Sequence, residues 1–308
     1  MFTIIEAPVW GWVSMPTVVG FAVAFGLLGL FTAWELRVDQ PMLPVRIFSN
    51  LRFRAASLAV TAAFFALLGF VFLITQYFQL VRGYNPLQAG VRTVPVALAI
   101  AGAAVISPRL VERVGTTRVV SSGLFAMALG FAWVSTDAGS TAYVQIVGQM
   151  LLLGVGLGLT TAPATESIMG SLTPDKAGVG SAVNDTTREL GGTLGVAVVG
   201  SVFSSVFAGT LRHGSVFGSL PAPARHSSQE SVTAAIGVAG RLGAQAPEFV
   251  AEVRQAFLSG LGVACWVVCE VALAGSLFAR RFLPSRAAAP DVALEVAFAG
   301  GHGEMLGL

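Results

Sequence analysis

Long intervals without a charged side chain alternate along this chain with short stretches that carry arginine. Between Glu6 and Arg37 the sole ionisable side chain is Glu35, and Thr17 to Trp34 is almost continuously apolar. Further charge-free intervals run from Ala55 to Val81, Thr93 to Pro108, Val119 to Thr136, Ala138 to Thr165, Leu190 to Leu211 and Gln255 to Ala279, the last interrupted by Glu270 alone. The third interval is short, and its helix is expected to begin before Arg92, near Gln88. None of them alternates polar with apolar residues, as the ten-residue strands of a membrane barrel would. A helix is the open-ended structure that satisfies its own backbone in lipid, so the pattern predicts seven transmembrane helices.

Composition agrees. Of 308 residues, 55% are hydrophobic and 11% charged, with a mean hydropathy of +0.77. Water-soluble domains carry about a quarter of their residues as charges, so a soluble reading is excluded, and so much apolar side chain excludes disorder. At about 20 apolar residues per crossing, the length accommodates about six to eight spans, not twelve or fourteen. The net charge of +2, with no basic cluster beside aromatic residues, argues against a nucleic-acid partner. Cys265 and Cys269 lie four apart in an apolar run and read as small buried side chains, and no further Cys or nearby His completes a metal or disulfide set. No cofactor or metal is implied. His213, His226 and His302 fall in a long loop or the tail without a zinc-site spacing or a Ser/Asp relay, so an enzyme is not expected. The first basic residue is Arg37, which leaves the N-terminal run without the positive flank of a signal peptide.

Arginines then orient the spans. Arg37, Arg46, Arg52 and Arg54 follow the first, Arg109, Arg113 and Arg118 the third, Lys176 and Arg188 the fifth, and Arg280, Arg281 and Arg286 the seventh. That side carries twice the basic residues of the other, which places the N-terminus outside and the C-terminus in the cytoplasm. The preference for arginine over lysine, with abundant alanine and glycine, points to a bacterial genome and hence a bacterial cell membrane. Trp10, Trp12 and Trp34 suit interfacial anchors of the first span.

Several motifs are candidates for chemistry. Gly154-Val-Gly156-Leu-Gly158 resembles part of a nucleotide-binding fingerprint, but no strand precedes it. In an apolar helix Gly154 and Gly158 form a face for close helix contact, and Gly191 and Gly195 repeat the spacing. The loop Leu110-Val-Glu112-Arg113-Val-Gly115-Thr-Thr-Arg118 puts a carboxylate and guanidinium groups beside a glycine turn, either as a latch between two helices or as an ordinary positive turn.

This last run resembles the cytoplasmic motif of the major facilitator superfamily, with Leu110, Arg113 and Gly115 matching and Glu112 in place of Asp. Gln79, Gly83, Pro86, Ala89, Gly90 and Pro95 are spaced like an outer loop of that family's fourteen-span drug:proton antiporter group. Gly178, Ala182, Asn184, Arg188, Glu189, Gly191, Gly192 and Gly195 are similar to that group's sixth-helix start, with Asp185 inside the run. Glu35, Pro41 and Phe48 resemble the loop leading into its C-terminal bundle. The resemblance spans Trp10 to Arg281. It implies an all-α polytopic fold: an outer segment, linker helix and cytoplasmic loop over 1–54, a six-helix transporter bundle over 55–281 with an outer loop at about 210–254, and a disordered cytoplasmic tail over 282–308. It also implies half of a proton-coupled multidrug efflux antiporter. Its partners would be the lipid bilayer, protons, a hydrophobic or cationic small molecule, and an N-terminal transporter half or a second copy. A seven-helix receptor, an accessory membrane subunit and a truncated product without transport of its own are the alternatives. The retinal type of receptor is excluded, because Lys176, the single lysine, lies in a loop.

Ionisable groups within the spans are the site candidates. Glu270 is the deepest, about 15 Å from Arg280 along a helix, and reads as a proton carrier, a counter-charge for a cationic substrate, or a neutral acid bonded to a neighbouring helix. Glu166 either lines a vestibule or sits at the interface. Gln145 and Gln149, one turn apart, offer either substrate contacts or helix–helix hydrogen bonds. Asp185, Arg188 and Glu189 are expected to pair among themselves and cap the sixth helix. Phe64, Phe65, Phe70 and Phe72 face lipid, pack, or form an apolar drug surface.

Overall fold

The computed structural model describes residues 2–38, 41, 45–136, 141–172 and 176–284. Most of the tail expected over 282–308, with Arg286 and His302, lies outside the described residues. Seven helices are long and apolar enough to cross a membrane: α2 (Met15–Glu35), α3 (Leu51–Gln76, extended by a π-helical turn Tyr77–Val81), α4 (Pro86–Val114), α5 (Thr116–Val134), α6 (Tyr143–Met169), α7 (Ala177–Leu211) and α11 (Ala246–Phe282). A short helix, α1 (Phe2–Trp10), precedes them, and α8 (Ser215–Ser219), α9 (Ala222–Glu230) and α10 (Val232–Ala239) lie between α7 and α11.

Local chemistry sets the ends of these helices. The Asn50 side chain accepts hydrogen bonds from the Arg52 and Phe53 amides at 2.9 and 3.3 Å, capping α3. Asn85 and Gln88 form a reciprocal capping box at the start of α4, with Pro86 in the first turn. The third span therefore starts two residues before Gln88. Gly115 closes α4 and opens α5 with φ +88°, a conformation that costs any residue with a β-carbon. Glu248 in the first turn of α11 and Arg280 and Arg281 in its last complement the helix dipole.

The six spans from α3 onward form two three-helix units, α3–α4–α5 and α6–α7–α11. Helices α3, α5, α6 and α11 make the centre, α4 leans chiefly on α6, and α7 leans on α3 and α11. Each unit thus lends its middle helix to the first helix of the other, the arrangement expected of two inverted repeats. These crossings are close because glycines remove the side chain. A β-carbon on Gly154 would lie 2.6 Å from the Val96 carbonyl oxygen, and one on Gly158 2.5 Å from that of Ile100. On α7, a β-carbon on Gly191 would stand 2.5 Å from the Thr61 carbonyl oxygen, and one on Gly195 would collide with the Phe65 carbonyl. One on Gly156 would lie 2.5 Å from the Gly123 carbonyl oxygen of α5. Aromatic rings fill the centre, with Phe70 edge-on to Phe131 at 6.3 Å and Phe203 edge-on to Phe257 at 5.0 Å. Phe65 and Phe70 are buried, whereas Phe64 and Phe72 are half-buried. Cys265 and Cys269 are both buried on one side of α11.

Two features depart from the charge-interval reading. α1 was not expected, since Glu6 and Pro8 break its short apolar run. It packs on α7, where the Ser201 hydroxyl donates to the Ile4 carbonyl at 2.6 Å. The connection after α7 is also shorter than 210–254, because α11 already begins at Ala246. Its first turns carry Glu248, Glu252 and Arg254, and at 37 residues the helix is longer than the hydrocarbon layer is thick. Glu252 anchors the connection. Its carboxylate accepts from the Val216 and Phe217 amides at 2.8 and 3.1 Å and from the Ser215 hydroxyl at 2.9 Å. Glu252→Ala is expected to release α8 at a local cost of about 1–3 kcal/mol. Amide exchange over residues 215–219 should rise, and unchanged protection there would refute the assignment.

Candidate functional site

Among the described residues, the hollow between α3, α5, α6 and α11 is too small for a drug-sized ligand. This apolar hollow, lined by Phe70, Leu73, Tyr77, Phe131, Gln149 and Met150 among others, holds about 10 Å³, enough for one water molecule. Sites for such ligands occupy several hundred Å³.

The polar groups that cross helix boundaries meet where α3, α6 and α7 join. The Arg188 guanidinium on α7 donates from Nη2 to the Thr165 hydroxyl of α6 at 3.1 Å, and Thr165 donates to the buried Asn184 Oδ1 at 3.3 Å. Above the Phe64 ring of α3 the same guanidinium stacks at 5.3 Å. Its Nε is buried and has no hydrogen-bond partner among the described residues. The junction sits four residues before the end of α6, about 6 Å along the helix, near the arginine-rich end of the bundle.

The pairing expected among Asp185, Arg188 and Glu189 is not formed. Asp185 and Glu189 are exposed on α7, and neither lies within ion-pair distance of Arg188. Helical geometry explains this. Arg188 leans toward α3 and α6, while its acidic neighbours lie on the outer face of α7 with Thr186 and Thr193. Glu166, next to Thr165, is also exposed. The junction therefore combines one half-buried cation with three exposed carboxylates on α6 and α7.

Other candidates are dispersed. Gln149 is buried in the lining of the small hollow, whereas Gln145, one turn earlier, is exposed. Glu270 is not enclosed by neighbouring helices. It lies on the outer stripe of α11 formed with Val263, Trp266, Leu273 and Leu277, and α11 packs chiefly on α5, α7 and α3. It is thus not joined to Glu166 or the glutamines on α6, because the rotation of α11 is set by its small buried stripe of Ala264, Cys265, Val268 and Ala272. Around the α4–α5 turn, Leu110 and Gly115 are half-buried, and Glu112, Arg113 and Arg118 are exposed without an ion pair among the described residues. Gly115 leaves α5 without a side-chain cap. No group of His, Cys, Asp and Glu among the described residues is arranged to hold a metal.

Spacing alone did not show Thr165 and Phe64 as the partners of Arg188, since both come from other helices. For Arg188 and Asn184 the sequence signal was their place in the run from Gly178 to Gly195.

Comparison with known proteins supplies the remaining observation. The profile of the Major Facilitator Superfamily matches residues 3–196. The multidrug efflux pump LfrA of Mycolicibacterium smegmatis is 30% identical over 266 residues, covering 85% of this chain and 52% of the pump. The multidrug resistance protein Stp of Mycobacterium tuberculosis is 31% identical over 211 residues, covering 68% of the chain and 39% of Stp. The tetracenomycin C resistance and export protein of Streptomyces glaucescens is 27% identical over 305 residues, 96% of the chain and 57% of that protein. The chain spans about half the length of these relatives.

Proposed function

The chain belongs to the Major Facilitator Superfamily, and from that premise we propose that it forms the C-terminal half of a proton-coupled multidrug efflux antiporter. It works by alternating access, rocking against an N-terminal half about a site between the two. The arginine-rich end lies in the cytoplasm and the N-terminus outside, as the two-to-one bias of basic residues favours. Membership of a transporter family sets aside the receptor alternative.

The observation that supports this reading is the tight interior: the hollow among Phe70, Tyr77, Phe131 and Gln149 holds about 10 Å³, too little for a drug, so the drug is assigned to a face shared with another bundle. That face is formed by α3 and α6 between α4 and α7. Only 17% of the apolar window of α4 is buried, against 50% or more in α3, α5, α6 and α11. Its exposed stripe of Leu87, Val91, Val94, Leu98 and Val105 is interrupted by Gly90 and Gly102, around which nothing lies within 4 Å. Such small positions let a partner helix approach. The Arg188 junction lies on this side, with Glu166, Asp185 and Glu189 as proton-exchanging groups and Gln145 available to substrate. Glu270, turned the other way on α11, lies apart from this site.

The test is drug-dependent proton flux in proteoliposomes, with an amphiphilic cationic dye as probe. The chain joined to an N-terminal bundle is expected to exchange dye for protons, and the chain alone is not. Robust exchange by the chain alone would sink the two-bundle requirement. In the complete assembly, Glu270→Gln is expected to keep transport near the starting rate. A loss of tenfold or more would return the coupling to α11.

A further inference from the structure

We propose that the groove between α5 and α11 at the arginine-rich end is a binding site for an anionic phospholipid. The groove holds about 1020 Å³, far more than the interior hollow. Its wall joins two chemistries. At one end stand Arg113 and Arg118 from the α4–α5 turn and Arg280 from α11, with Glu112 as the single acid. None of the three arginines is in an ion pair among the described residues, so the wall keeps an excess of two positive charges. At the other end Phe125, Leu273 and Leu277 form an apolar surface, and all three side chains are exposed.

The geometry matches a lipid at the depth where lipids lie. α5 has 19 residues, about 28 Å, close to the thickness of the hydrocarbon layer, so its first turn marks the boundary. The arginines stand at that boundary. Phe125 lies about 14 Å deeper along α5, and Leu273 about 10 Å from Arg280 along α11. A phosphodiester headgroup meets the guanidinium groups while an acyl chain follows the apolar wall. A free phosphate would use the first feature and leave the second idle, which is why the lipid is the assigned occupant. The hydroxyls of Ser121, Ser122 and Ser276 already donate to the carbonyls of Arg118, Val119 and Ser121 at 3.3, 3.0 and 2.8 Å. The headgroup therefore depends on arginine. This site lies on the opposite side from the α3/α6 face and does not rest on the transport reading.

Native mass spectrometry of the chain released from mixed phosphatidylglycerol and phosphatidylcholine nanodiscs tests it. Retained phosphatidylglycerol is expected to exceed phosphatidylcholine about tenfold, and Arg118→Gln with Arg280→Gln to bring the two near parity. Both arginines are exposed, so the variant should fold, and the single Arg280→Gln variant gives the same comparison with less change. Arg241→Gln, another exposed arginine, should leave the preference intact. Equal retention of the two lipids by the unaltered chain would overturn the proposal, and so would an undiminished preference in the double variant. Inorganic phosphate at matched concentration is expected not to displace the lipid; displacement would assign the site to a free anion.

Discussion

Leucine at both Gly154 and Gly158 is expected to unseat α6 from α4 and abolish assembly of the bundle. The two β-carbons would stand 2.6 and 2.5 Å from the carbonyl oxygens of Val96 and Ile100, and 2.7 Å from the side chains of Ala99 and Ala103. These obstacles are backbone, not the flexible ends of side chains, so the helices must separate. Overpacking of this kind costs about 1–3 kcal/mol per site even where a core can adjust. In lipid, where contact itself holds helices together, a widened interface forfeits most of the attraction. Thermal unfolding in detergent should fall by many degrees, or the protein should fail to accumulate. Gly102→Leu, on the same helix α4 with nothing within 4 Å, should leave that midpoint unchanged yet impair transport if a second bundle docks there. A double Gly154/Gly158 variant as stable as the parent would show that the crossing is not close.

Arg188→Gln is expected to cut transport by the complete assembly at least tenfold while the bundle stays folded. Among the described residues the guanidinium donates one hydrogen bond, to Thr165, stacks on Phe64, and keeps Nε buried without an acceptor. A cation with donors to spare beside exposed carboxylates is poised to take an anionic partner as the bundle moves, and glutamine removes the charge while keeping an amide for Thr165. Arg188→Lys should recover part of the activity, because an ammonium keeps the charge but neither the planar stacking nor the forked donors. Full-rate, proton-dependent efflux by Arg188→Gln would remove the junction from the mechanism.

Some of this could be read directly from the chain. The charge-free intervals located the seven spans because a helix in lipid needs a run of apolar residues about as long as the bilayer is thick, a property that lies along one dimension. The glycine turn at Gly115 is also local. The family resemblance was legible in the order of short motifs from Gln79 to Gly195. Less legible was the start of α11, where Glu252 read as loop and serves as an anchor. The α1 helix was hidden because its stability comes from packing on α7, not from its own sequence.

By itself, then, the sequence determined that this is a helical membrane protein, how many spans it has, and which family's motifs it carries. Only the tertiary structure decided which way each polar side chain faces. It turned Glu270 outward on α11, separated Arg188 from Asp185 and Glu189, and gave it Thr165 and Phe64 from two other helices. It also brought Arg280 beside Arg113 and Arg118 across the length of the bundle's chain. The physical reason is rotation. In a helix apolar on nearly every side, periodicity does not choose the buried face, so the choice falls to the glycines and small residues at which neighbouring backbones meet.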